Sequence, residues 1–110
     1  MRKTVIPKVF YAKSYGDRLV GITGRRKWPF SRFEGLYFPD CGSVHTFFTF
    51  LRLDIVFLDK NHKILKIYPA AAPWRFFIGP PGSRHCLELP EGYSARFQLK
   101  KGKGLLCEKI

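Results

Sequence analysis

Short apolar runs alternate with turn-forming residues along the chain, and this spacing predicts a succession of strands. The clearest run, Leu53 to Leu58 (LDIVFL), predicts a buried strand; the next four residues, 59–62, predict a hairpin turn, and Ile64 to Ile67 the returning strand. Val5 to Ala12 predicts a further strand, which Pro7 restricts to a sheet edge or a bulge. Shorter strands are predicted over 34–39, 86–89 and 105–108.

Three other segments depart from this pattern. A capping-box sequence at residues 14–17 predicts a short helix from about 15 to 23, and residues 91–99 have room for one helical turn. Four prolines predict a loop over 69–82. The aromatic residues expected to dock this loop onto the body are Trp74, Phe76 and Phe77. Together these elements predict a mostly β, α+β single domain over residues 1–110, built as a small, mostly antiparallel, partly open barrel-like sheet with one or two short helices.

Charge is distributed unevenly along the 110 residues. The formal net charge is +12, from 20 Lys and Arg against 8 Asp and Glu, and the first 33 residues hold nine of the basic residues and a single acidic one, Asp17. Such a surface attracts phosphate backbones, anionic membrane surfaces or acidic proteins. The 45% hydrophobic and 16% aromatic content excludes the composition of a disordered chain.

Neither a secretory leader nor a membrane helix is predicted. Pro7 and Lys8 interrupt the apolar residues near the start, and no window approaches the length of a membrane span. Three cysteines, an odd number, favour reduced thiols. We therefore expect a cytoplasmic protein that does not contact membranes, with a monomer as the favoured state.

Three stretches of the sequence carry a resemblance to a known family. They are 18-RLVGITGRR-26 followed by 34-EGLYF-38, then 41-CGSVHTFFTFLRLDIVFLDKNHKI-64, then 87-LELPEGYSARFQLKKG-102. In this order and spacing, over about residues 10 to 106, the chain resembles the uncharacterised family called domain of unknown function 192. The resemblance implies a small, strand-rich α+β fold and supplies no activity. The family signature falls here on Arg18, Gly21, Arg25, Gly35, Cys41, His45, Thr46, Phe47, Asp54, Phe57, Asp59, Glu88 and Gly92. The chain departs from the family pattern at 48-FTFLR-52 and at Gly102-Lys103.

Candidates for catalysis are weak. Cys41, His45 and Asp54 have the residue types of a nucleophile, a base and an orienting carboxylate, although no protease signature surrounds Cys41. We favour a non-catalytic interpretation, in which His45 and Thr46 hold the loop that delivers Phe47 and Phe50 into the core, with Cys41 packed beside them. The chain is accordingly expected to be a binding protein rather than an enzyme.

A metal site is not predicted, and neither is a cofactor. Cys41 and His45 could join His85 and Cys86 as zinc-type ligands, but neighbouring residues on a strand point to opposite faces. For Asp54, which begins an apolar strand, we expect a structural partner: Arg18, Arg25, Arg52 or a backbone amide. Asp59 is expected to accept backbone amides of its own turn.

Two binding sites remain open. Nucleic-acid binding would use the basic residues Arg25, Arg26, Lys27 and Arg32 for phosphate contacts. The accessible rings of Trp28, Trp74 and Phe76 would serve as stacking platforms. Alternatively, the loop 69–82 and the segment 44–50 could line a cleft for an unidentified small ligand or protein partner. Its candidate residues are His45, Thr46, Trp74 and Arg75. The sequence predicts a basic binding protein without naming its ligand.

Overall fold

A computed structural model of the chain describes residues 3–13, 24–47 and 49–110. In this part of the chain the elements follow one another as β1 (Thr4–Tyr11), β2 (Gly35–Phe38), β3 (Ser43–His45), β4 (Leu53–Leu58), β5 (Ile64–Ala71), β6 (Phe76–Ile78), β7 (His85–Pro90), α1 (Tyr93–Arg96) and β8 (Leu105–Lys109). The mostly β, α+β class is confirmed, and so are the six predicted strands and the helical turn within 91–99. The predicted helix at 15–23 lies outside the described residues.

Six strands form one mixed sheet in the order β5-β4-β7-β2-β1-β8, and β3 pairs with β6 in a second, two-stranded sheet. β4, β5 and β7 run antiparallel to their neighbours. β2 is antiparallel to β7 but parallel to β1, which is also parallel to β8. A parallel pair needs a long crossover, and the 23 residues between β1 and β2 supply one. The larger sheet does not close into a barrel, although its two edge strands meet at one end through a bridge between Lys63 and Gly104.

Pro7 lies within a bulge of β1. The register between β1 and β8 shifts between Ile6 and Val9, and Lys8 takes a left-handed φ of 52° there. Because β1 is flanked on both sides, a proline without an N–H is accommodated only where the ladder is interrupted. Of the two predicted settings for Pro7, the bulge is the one found.

The prediction of a loop over 69–82 is wrong in two places. β5 continues through Pro69 to Ala71, and Phe76–Ile78 form β6. β5 is an edge strand, with β4 as its one neighbour in the sheet. A proline is tolerated there because its missing N–H is not needed to pair with a second strand. Ala70 has a left-handed φ of 50°, and the register with β4 is irregular between Leu53 and Ile55.

Apolar side chains cover both faces of the larger sheet. All six residues of β4 are buried, as the apolar run 55–58 after Asp54 predicts. Its alternate residues Val56 and Leu58 belong to one core cluster, which α1 covers with Tyr93. On the other face, the second core cluster contains Trp28 and Phe33 of the segment before β2. The expectation that Trp28 is an accessible stacking ring is therefore wrong: it is buried, and its indole N–H donates to the Phe33 carbonyl at 2.9 Å. The residues of β4 that join this second cluster are Leu53, Ile55 and Phe57.

Candidate functional site

The two-stranded sheet of β3 and β6 presents one face to the body and one to solvent. Val44 pairs with Phe77, and both are half-buried against the second core cluster. The flanking residues of each strand point the other way because side chains alternate along a strand. His45, Phe76 and Ile78 are accordingly exposed. This small sheet therefore carries a row of apolar and imidazole side chains on the outside of the molecule.

Thr46, the residue after β3, ties together the two loops at the end of this sheet. Its Oγ1 donates to the carbonyl of Ala72 at 2.8 Å and accepts the N–H of Arg75 at 2.9 Å. The Thr46 carbonyl accepts the N–H of Trp74 and the hydroxyl of Thr49, both at 2.8 Å. Thr46 is completely buried. The residue predicted to line a cleft instead fixes the relative position of the two loops.

Phe47 and Phe50 are not in the core, contrary to the prediction. They are 40% and 46% exposed, and they gather around Trp74, which is also 46% exposed. The Phe47 and Phe50 ring centroids lie 6.3 and 6.4 Å from that of Trp74, and the His45 ring stacks on Phe47 at 5.0 Å. Trp74 and Phe76 likewise do not dock the loop onto the body; of the three aromatic residues, Phe77 does. We call the exposed rings of His45, Phe47, Phe50, Trp74 and Phe76 the aromatic surface.

One arginine connects this aromatic surface to the basic segment before β2. The guanidinium carbon of Arg26 lies 5.0 Å from the ring centroid of Phe50, within cation–π range. Lys27 and Arg32 are exposed, Arg25 is half-buried, and Arg32 lies 5.9 Å from the Phe33 ring. The two sites that the sequence predicted separately thus share a boundary at Arg26 and Phe50.

Cys41, His45 and Asp54 have separate partners. The Cys41 thiol donates to the carbonyl of Ser43 at 2.8 Å, and the His45 ring stacks on an exposed phenylalanine. The Asp54 carboxylate accepts the N–H of Ala70 at 2.9 Å and both the N–H and hydroxyl of Ser94 at 2.8 and 2.6 Å. A catalytic triad needs these three groups to be bonded to one another. The observed bonds instead give Asp54 the structural role that the sequence predicted, through backbone amides.

Asp59 also behaves as predicted. Its Oδ1 accepts the N–H groups of Asn61 and Lys63 at 2.8 and 2.9 Å, and these bonds lower the pKa of the carboxyl.

Within the described ranges, no three residues among the histidines, cysteines and acids are grouped to hold a metal ion. Cys86 is buried in the second core cluster, whereas His85 accepts the N–H of Asp40 near the surface.

Sequence reasoning missed a cluster of rings around His85, the first residue of β7. Tyr37 Oη lies 2.7 Å from His62 Nε2, and the rings of Tyr37, His62 and His85 are mutually 5.1 to 5.5 Å apart. Burial lowers the pKa of both histidines and raises that of Tyr37 far above its ordinary value. The residues lie on different elements, so no local sequence pattern could have grouped them.

Glu88 is a buried acid whose burial the sequence pattern did not predict. It lies in the middle of β7, opposite Leu36 of β2 and Ile55 of β4, and is 4% exposed. Burial alone raises the pKa of its carboxyl to about 8. Glu88 is therefore mostly protonated at neutral pH, which is how an isolated carboxyl is tolerated among apolar side chains.

The comparison with protein families covers nearly the whole chain. The model of domain of unknown function 192 (DUF192), described as an uncharacterized ACR, matches residues 2–106. The chain belongs to this family. Two uncharacterised relatives, UPF0127 proteins of Thermococcus sibiricus and Pyrococcus horikoshii, are each 34% identical over 50 residues, or 46% of this chain. That match spans 32% of the first relative and 43% of the second, less than half of either protein.

Two solved structures share the DUF192 fold seen here. A protein of unknown function from Novosphingobium aromaticivorans superposes with a TM-score of 0.70 at 22% identity, covering 86% of this chain and 70% of that one. A Sinorhizobium meliloti protein, described as a "putative transcription regulator", also gives a TM-score of 0.70, at 25% identity over 86% of this chain and 76% of that one. Within the described ranges, this DUF192 chain has no helix with the length and hydropathy of a membrane span.

Proposed function

We propose that this DUF192 protein binds single-stranded nucleic acid on the aromatic surface, with RNA as the expected ligand. The observation that carries the proposal is the contact between Arg26 and Phe50, which joins a set of exposed rings to a basic segment. Single strands are held by rings on which bases stack, next to cations that neutralise phosphates. The aromatic surface and the residues before β2 offer both groups side by side.

The exposure of the rings supports stacking. Phe47, Phe50, Trp74 and Phe76 are between 40% and 56% exposed, although burying them would stabilise the fold. The bonds of Thr46 hold the backbone that carries Phe47 and Trp74 in place before any ligand arrives. A preorganised surface loses less conformational entropy on binding.

The charge of the surroundings also favours a polyanion. Arg26 and Arg52 are exposed beside the loops of the aromatic surface, and so is Arg75, next to Trp74. The Arg52 guanidinium donates to the carbonyl of Ala70, which leaves its charge uncompensated by that bond. With a formal charge of +12 on 110 residues, phosphate contacts are expected to contribute strongly at low salt. The description of the Sinorhizobium meliloti protein as a transcription regulator is compatible with this ligand class.

The remaining expectations belong to the same proposal. We expect a single-domain monomer that works in the cytoplasm. The three cysteines Cys41, Cys86 and Cys107, all among the described residues, form no disulfide, which suits a reducing compartment.

The test is fluorescence anisotropy with a labelled single-stranded RNA and a duplex of equal phosphate number. We expect the single strand to bind at least tenfold more tightly, because a duplex keeps its bases stacked internally. Trp74→Ala and Phe47→Ala should each weaken single-strand binding about tenfold or more. Phe30→Ala removes an equally exposed ring that packs near Tyr93, so it is the matched control and should change little.

The contribution of Arg26 is measured by a salt series. Arg26→Ala should weaken binding and reduce the salt slope by about one, whereas Arg26→Lys should keep the slope and lose part of the affinity. Lys66→Ala is the control, since Lys66 is an exposed cation over Tyr68, a ring outside the aromatic surface. Equal binding of duplex and single strand, or equal losses in the Trp74 and Phe30 variants, would contradict stacking on the aromatic surface. Thermal shift or pull-down with protein partners then tests the alternative that an apolar protein segment covers these rings.

A further inference from the structure

The two edge strands of the larger sheet are joined at one corner by main-chain hydrogen bonds. Leu105 donates its N–H to the carbonyl of His62 at 3.0 Å, and Ile64 donates to Lys103 at 2.9 Å. The Ile64 carbonyl accepts the N–H of Gly102 at 2.8 Å. We call residues 62–64 and 102–105 the seam, because they close one end of an otherwise open sheet.

The side chain of His62 links the seam to the ring cluster. Its Nε2 lies 2.7 Å from Tyr37 Oη, and its ring centroid lies 5.1 Å from that of His85. His85 Nδ1 accepts the backbone N–H of Asp40 at 3.1 Å. An imidazole nitrogen that accepts an N–H carries no proton, so this bond requires His85 to be neutral.

Four charged residues near the two histidines shift their pKa values. Lys3 lowers the pKa of His62, and Arg84 lowers that of His85. Asp59 acts in the opposite direction on both rings, and Asp40 does so on His85. The larger cause in each case is burial, which disfavours the charged imidazolium.

The phenols of Tyr37 and Tyr11 and the thiol of Cys107 stay uncharged across the neutral range. Burial raises the pKa values of Tyr37 and Tyr11, and it raises the pKa of Cys107 to about 12. Neither phenol nor thiol can therefore supply a negative charge to pair with an imidazolium at neutral or acidic pH. Asp40 and Asp59 are the nearby acids, and both are already engaged, with Arg84 and with the turn amides.

We propose that the seam is a proton-operated device, in which proton uptake by His62 and His85 separates β5 from β8. A proton on His85 Nδ1 turns it from acceptor to donor, facing the Asp40 N–H. A second imidazolium 5.1 Å from the first adds repulsion. The pKa values of His62 and His85 in the folded chain lie below the ordinary histidine value. The closed seam is therefore stable above the ordinary value, and this stability is lost as the pH falls through the folded-state pKa values. Opening would expose the unpaired edges of β5 and β8.

The experiment follows amide hydrogen exchange and histidine ring resonances by NMR between pH 7.5 and 5. After correction for intrinsic rates, exchange of the Leu105, Ile64 and Gly102 amides should rise at least tenfold between pH 7 and 5. The amides of β4 and the Thr46 amide, bonded to Arg75, are internal controls and should stay protected. His45, the third histidine, is exposed on the aromatic surface, so His45→Gln should leave the seam response unchanged.

The variant test removes the titration and keeps the polar groups. His62→Asn suits the left-handed φ of 61° at this residue, and His85→Gln retains a side-chain carbonyl that can accept from Asp40. The double variant should lose the acid response of the three seam amides. The proposal is overturned if those amides stay protected at pH 5, or if opening persists unchanged in the double variant. If the double variant does not fold, ring pKa values at or above the ordinary 6.5 in the native protein would overturn it equally.

Discussion

The side-chain oxygen of Thr46 accepts the backbone N–H of Arg75 at 2.9 Å, and so joins the loop after β3 to the loop before β6. The same oxygen donates to Ala72 at 2.8 Å, in a position that solvent does not reach. Both loops end in rings of the aromatic surface, Phe47 on one side and Trp74 on the other. The Thr46 hydroxyl, together with the main-chain bonds of Thr46 to Trp74 and Arg75, therefore fixes how far apart these two rings lie.

Replacing Thr46 with valine is expected to weaken both stability and binding. The shape is retained, but a buried N–H and a carbonyl lose their partner, which should cost about 1 to 3 kcal/mol of unfolding free energy. RNA affinity should fall as well, because only the main-chain bonds of Thr46 to Trp74 and Arg75 then hold the rings of Phe47 and Trp74 in place. Chemical denaturation and anisotropy measure the two effects. Thr49→Val is the control: it removes one bond to the Thr46 carbonyl and leaves the loop before β6 untouched.

Local pattern predicted the elements whose burial is decided by their own residues. β4 followed from the apolar run 55–58, and the turn after it from Asp59, whose carboxylate accepts two turn amides. Phe47 and Phe50 were misassigned because aromatic content alone does not distinguish a core position from a loop anchored at Thr46. The core places are taken by residues such as Phe33 and Phe57.

Relationships between distant residues were beyond the reach of the sequence. Nothing local predicts that β1 runs parallel to β8, or that Tyr37, His62 and His85 meet. The candidate site was predicted as two separate sets of residues, and the structure joins them at the contact of Arg26 with Phe50. Thr46 and Asp54, which fall on the family signature, both bond to backbone groups of other segments. At these two positions the family signature therefore marks residues that stabilise the fold.

Glu88 is expected to make the protein less stable as the pH rises. Its pKa is raised from 4.5 to about 8 in the folded chain, so the folded state holds a proton that the unfolded state releases. The contribution is complete below 4.5 and is lost as the pH rises toward about 8. Urea denaturation should show the unfolding free energy falling over this range by an amount on the order of 5 kcal/mol.

Glu88→Gln should remove most of this dependence, because the amide does not ionise. The comparison is made between pH 7 and 9, above the ordinary histidine range, where the last part of the fall, about 1 kcal/mol, is expected. Glu108→Gln, at an exposed position of β8, is the matched control and should follow the native curve. If the native protein and Glu88→Gln have parallel curves, Glu88 does not carry the burial cost described here.

Asp54 is expected to act as a structural bridge between β4, the end of β5 and the start of α1. Asp54→Ala leaves the N–H of Ala70 and both polar groups of Ser94 without their acceptor, and should cost about 3 kcal/mol or more of unfolding free energy. Ser94→Ala removes one of the three bonds and should cost about 1 kcal/mol. Circular dichroism during denaturation measures both. A stable Asp54→Ala protein that had lost only its ligand binding would reverse this assignment.

Gly79, just after β6, is expected to tolerate no side chain. A Cβ at this position would lie 2.6 Å from Cδ1 of the buried Phe57 and would overlap the side chain of Ser83. Because Phe57 packs in the second core cluster and cannot move aside freely, Gly79→Ala should cost about 1 to 3 kcal/mol of unfolding free energy. Gly42→Ala is a matched control across the same turn: the Gly42 carbonyl accepts the Gly79 N–H at 2.9 Å, yet a Cβ on Gly42 has its nearest neighbour at 3.9 Å. Equal unfolding free energies for the two alanine variants would show that β6 does not rest on Phe57 as described.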